Sequence, residues 1–125
     1  MGRSEKKETT LEKREFKVHF IKNGGKQGVD FGMNVKIQYD LYLVDKNRPD
    51  LKGKLIESRK GTQEQKGPVF AKGAYLPGIE KAILQMTKNS EVWVFIPWEE
   101  GFGDKAVGDG LVPARHDLVA IIKVY

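Results

Sequence analysis

Hydrophobic and polar positions alternate along much of this 125-residue chain. In "FKVHFIK" the side chains Phe16, Val18 and Phe20 alternate with Lys17 and His19, the period of a half-buried strand over Phe16–Lys22. From Met33 to Val44 the residues Val35, Ile37, Tyr39, Leu41 and Leu43 keep that period and predict a long strand. "LKGKLIES" predicts a weaker one, with Leu55 and Ile56 adjacent and therefore on opposite faces. "PVFAKG" reads as a short strand or a sheet edge. The period then changes: Ile79, Ala82, Ile83 and Met86 form one stripe of a helix of about three turns. Pro77 suits its first position, and Asn89 suits a left-handed end. Glu91–Pro97 and Asp117–Tyr125 are further strands, and the second is apolar on both faces in part, which predicts a central place in the sheet.

Two stretches break the pattern. Residues 1–15 alternate in charge and, besides Met1, carry only Leu11 as a large apolar side chain, which predicts a flexible charged N-terminal arm. The 20 residues from Pro97 to His116 hold four glycines and two prolines. Connections of that length without secondary structure are usually functional or disordered. Five or six antiparallel strands and one short helix define an α+β domain. The helix has a single apolar face, so a curved sheet should wrap around it.

Composition adds limits. A chain of 125 residues with 39% hydrophobic content supports one domain with one core. It has no cysteine, which excludes thiolate chemistry and points to a reducing compartment, the cytoplasm or nucleus. No apolar run approaches the ~20 residues of a membrane helix. The net charge of +5 concentrates in Asp45–Lys66, where seven Lys/Arg face four Asp/Glu. A basic domain binding nucleic acid non-specifically is therefore the alternative function, though no aromatic residues interleave with that cluster as a stacking platform requires.

Reactive constellations are sparse. The two histidines, His19 and His116, lack neighbours at ligand spacing, so no metal is expected, and no cofactor motif occurs. Ser4, Ser58 and Ser90 lack a nucleophile elbow. Glu99 and Glu100 are adjacent and diverge on extended backbone, as a surface pair does. "GFGDKAVG" precedes no helix, which argues against a phosphate cradle. What remains is an apolar and aromatic set beside loops: Tyr39, Phe70, Tyr75, Leu76, Trp98 and Phe102.

The order of the parts "VKIQYDLYL", "SRKG…GPVFAKG", "YLPGIEKAILQM", "VFIPWEEGFG" and "GLVPARHDLVAIIKVY" resembles the FKBP family of peptidyl-prolyl cis-trans isomerases, over about Phe16 to Tyr125. The resemblance implies an FKBP-like domain over 16–125 and a substrate pocket. Tyr39 stands at the pocket tyrosine, Phe70 and Gly73 at the Phe-x-x-Gly, Tyr75 and Leu76 at the Val-Ile pair whose second amide donates to substrate, and Val112 with Pro113 at the Ile-Pro. Other positions depart from the family. Ile79 stands at the tryptophan floor, and Leu55 and Ile56 at a Phe-Asp pair, which removes a carboxylate. Phe102 replaces a tyrosine, Ala114 a second proline, and Ala120 a phenylalanine.

Each large-to-small change removes on the order of 1–3 kcal/mol of ligand contact, and each missing polar anchor about 1 kcal/mol. The resemblance thus implies weak or absent isomerase activity, weak macrolide binding, and a role in protein folding or protein–protein interaction on a proline-containing peptide or protein partner. A monomer is expected. The loop bearing Trp98 and Phe102 would roof the pocket or, exposed, meet a partner.

Overall fold

The computed structural model describes residues 14–60 and 69–125. Most of the arm and the "GTQEQKG" loop lie outside the described residues. Five strands appear: β1 (Lys17–Lys22), β2 (Ile37–Val44), β3 (Lys52–Arg59), β4 (Glu91–Ile96) and β5 (Leu118–Val124). They form one antiparallel sheet in the order β1-β4-β5-β2-β3. β5 is central, as its apolar character predicts.

Alternation assigns the faces. Ile37, Tyr39 and Leu41 of β2, Val92, Val94 and Ile96 of β4, and Leu118, Ala120 and Ile122 of β5 share one buried cluster. The one helix among the described residues, α1 (Pro77–Ile83), closes that cluster with Ile79, Ala82 and Ile83, none of them exposed. Glycine at 78 is a packing requirement: a Cβ there would stand 2.5 Å from Cγ2 of Ile96 and 3.1 Å from the Glu100 carbonyl oxygen. α1 therefore lies close against the end of β4.

The opposite face is also covered in part. Phe95 and Val119 pack with Leu51, which the β2–β3 connection turns back at a φ of 62°. The Trp93 indole N–H donates to the Asp50 carbonyl at 2.9 Å and ties that connection down. This second cluster accounts for the apolar character of both faces of β5.

Three expectations change. The helix has seven residues, fewer than three turns. Beyond it the chain tightens into i→i−3 bonds from Gln85 to Ala82 and from Met86 to Ile83, and Met86 still reaches the core. Asn89 is left-handed at φ 67°, but in the turn entering β4, where its N–H donates to Val124. Lastly, Met33–Lys36 and Val69–Gly73 form no strand; they meet in one isolated bridge, Asn34 to Val69.

Candidate functional site

The concave side gathers aromatic rings. Phe70 is fully buried and reaches its place because Phe70 N–H donates to Met33 O at 2.7 Å while Gly32 N–H donates to Phe70 O at 2.9 Å. The turn that follows needs Gly73, at φ 87°, and its N–H donates to the Glu80 carboxylate of α1 at 2.6 Å. This bond and turn set the Phe70–Tyr75 segment against the helix. Phe31 stacks on Phe70 at 5.0 Å, Phe70 meets Tyr75 at 5.9 Å, and Tyr75 meets Tyr39 edge-on at 6.2 Å. The Arg59 guanidinium lies over the Tyr75 ring at 4.8 Å.

Tyr39, Phe70, Ile79 and Ala120 belong to one cluster, with Tyr75, Leu76, Ile56 and Phe102 packed against it. Val112 is buried as well. Leu55 is the exception. It is 48% exposed and pairs with Tyr42, a residue of the other face. The cause is a bulge: Leu41 pairs with Glu57 and Tyr42 with Leu55, so Ile56 is the extra residue. The bulge puts Glu57 on the concave side, where it accepts the Tyr39 hydroxyl at 3.0 Å. Ile56 and Glu57, and not Leu55, therefore face the buried cluster, so a carboxylate is present beside Tyr39. Burial first, and then the Glu57 bond, push the Tyr39 phenol up to about 12. Sequence reasoning passed over Glu57, although the adjacent "ES" was the available signal, and it also passed over Phe31.

The long connection is structured. It begins with a 3-10 turn, Trp98–Glu100, and bends at Gly103, φ 83°, whose N–H donates to Trp98 O. Val107 and Val112 then exchange two backbone bonds at 3.1 and 3.2 Å around a tip with Gly108, Asp109 and Gly110 all left-handed. Its base is clasped from the arm. Arg14 donates to both Asp117 carboxylate oxygens at 3.0 Å and to Glu99 at 2.8 Å. Arg14 and Arg115 each lie over the Trp98 ring, at 5.8 and 5.7 Å, and Asp117 also accepts the Trp98 N–H. Trp98 is thus half-buried and stacked within the chain, and Phe102 packs against the core.

A five-stranded antiparallel sheet packed on one short helix, with Tyr39, Phe70, Ile79 and Ala120 buried between them and Phe102 of the long connection packed against that cluster, is the architecture of the FKBP fold. A family model for FKBP-type peptidyl-prolyl cis-trans isomerases matches residues 25–125, and the chain belongs to that family. A peptidyl-prolyl cis-trans isomerase of Pseudomonas syringae pv. tomato superposes with a TM-score of 0.64 at 20% identity, covering 87% of this chain and 72% of that one. AtFKBP13 superposes at 0.67, also at 20% identity, over 86% and 89%. No curated protein matches the chain. Neither fold nor family supports the nucleic-acid alternative.

Proposed function

We propose that this domain binds a proline-containing segment of another polypeptide in the concave cavity and accelerates its cis-trans isomerisation weakly, in the service of protein folding or protein–protein interaction. Prolyl rotation must cross a barrier of roughly 18–20 kcal/mol set by amide resonance. The twisted transition state is less charge-separated than the planar amide, so an apolar, water-poor cavity favours it without a nucleophile, metal or acid/base pair. The observation that supports this reading is the convergence of Tyr39, Phe70, Ile79 and Phe102 on one core beside the start of α1. Leu76, just before that helix, is the family's substrate-amide position.

Weakness has physical grounds. Ile79 and Ala120 supply less wall than the family's aromatics, and Phe102 has no hydroxyl to orient a bound amide. Glu57 supplies a carboxylate, but Tyr39 already occupies it. A short Leu-Pro peptide followed by exchange NMR tests the proposal. Slow catalysis at micromolar protein is expected. No line broadening or rate gain at millimolar protein, with no peptide-induced shifts at Leu76 or Ile79, rejects it.

A further inference from the structure

The cavity reading leaves one side chain out of place. The floor and walls have almost no contact with water: Ile79, Phe70 and Ala120 are 0% exposed, Val112 3% and Tyr39 5%. A prolyl ring cannot touch Ile79 unless something on the rim moves. Tyr75 is the rim ring that touches both aromatic walls, at 6.2 Å from Tyr39 and 5.9 Å from Phe70. It stands where the resembling family carries an aliphatic side chain. Its ring restores the aromatic bulk that isoleucine at the floor withdraws.

Arg59 holds it there. The last residue of β3, Arg59 pairs in register with Tyr39, and its guanidinium covers Tyr75. Arg59 also shares a hydrogen bond with Tyr39, so one side chain joins both rings. Stacking a planar cation on an aromatic ring is worth about 0.5–1 kcal/mol at an exposed site. That is enough to bias a side-chain equilibrium and too little to lock it.

We infer that Tyr75 is a self-supplied stopper, seated in the prolyl subsite of its own cavity and clasped by Arg59, so that a ligand enters only when the ring swings out. This rests on the cavity being a prolyl site. An affinity measured on such a protein is the intrinsic affinity reduced by the open fraction. Removing the ring should therefore tighten binding without adding any contact to the ligand.

The test titrates wild type, Tyr75→Val, Tyr75→Phe and Arg59→Gln with a Leu-Pro tetrapeptide and, separately, with rapamycin, reading amide shifts at Leu76 and Ile79. Tyr75→Val should bind each probe roughly tenfold tighter or more, as an open fraction of a tenth or less requires. Tyr75→Phe keeps the ring and should show no such tightening. Arg59→Gln leaves every buried side chain in place and should tighten binding about two- to fivefold, since the clasp is weak. It also keeps the test decisive if Tyr75→Val does not fold. Equal affinities for wild type, Tyr75→Val and Arg59→Gln, with the shifts at Leu76 and Ile79, overturn the stopper and leave the prolyl site standing. Absence of those shifts in all four proteins at millimolar probe removes the prolyl site, and the stopper with it.

Discussion

The Tyr39 hydroxyl donates to the Glu57 carboxylate at 3.0 Å across the β2–β3 pair. That bond marks which side of β3 faces the cavity. Burial first, and then the Glu57 bond, push the Tyr39 phenol up from its ordinary 10.0 to about 12. A raised folded pKa means that the stabilisation is complete below about pH 10 and is lost as pH rises toward 12. NMR titration of the Tyr39 ring should show the late midpoint. Glu57→Gln should lower it part of the way, since burial remains. An unchanged midpoint in that variant would mean that the bond does not form in solution.

The Arg14 clasp predicts acid sensitivity at the base of the long connection. Arg14 holds the Glu99 carboxyl below its ordinary 4.5. A lowered folded pKa contributes stability that is present above the ordinary value and is lost as pH falls through the lowered one. Asp117→Ala removes the acceptor of both Arg14 and the Trp98 N–H and should cost on the order of 1–3 kcal/mol. Arg14→Ala breaks half-exposed ion pairs and should cost less than about 1 kcal/mol. Urea unfolding of both variants checks the order, which a larger loss for Arg14→Ala would reverse.

Gly78→Ala should destabilise the domain by about 1–3 kcal/mol through overpacking. The added methyl meets Ile96 at 2.5 Å and cannot turn away, because the Glu100 carbonyl stands 3.1 Å from it. Thermal unfolding measures the loss. Ile96→Ala removes both clashing γ-carbons and should cost less in the Gly78→Ala chain than it does alone.

Ile83→Ala should cost about 2–5 kcal/mol, the range for emptying a core site that cannot collapse. Leu55→Ala should change stability by no more than about 0.5 kcal/mol, as an exposed substitution does. Comparable losses at the two positions would contradict the assigned faces of β3.

Much of the fold was legible in spacing. Alternation over Ile37–Val44 and the stripe of Ile79, Ala82, Ile83 and Met86 identify a strand and a helix, because each depends on the direction of side chains from one local backbone. Helix length was less legible. Met86 lies in register with the stripe and is buried, yet the backbone leaves the α-helix at Ile83. A side-chain period continues through a tighter turn and does not record the change of hydrogen bond.

Of the candidate site, Tyr39, Phe70, Ile79, Val112 and Ala120 were placed by the family resemblance; all five are buried, and Tyr39, Phe70, Ile79 and Ala120 share one cluster. Leu55 and Glu57 were not, because a single bulged residue exchanges the faces of β3 and leaves no trace in composition.

Element types, the central place of β5 and the apolar content of the cup were thus written into the order of residues, since they follow from local periodicity and burial demand. The register of β3, the clasp of Arg14 on Asp117 and the seat of Tyr75 between Tyr39 and Phe70 came only with packing. Each joins residues far apart in the chain, or depends on a one-residue offset, and no local pattern encodes such a contact.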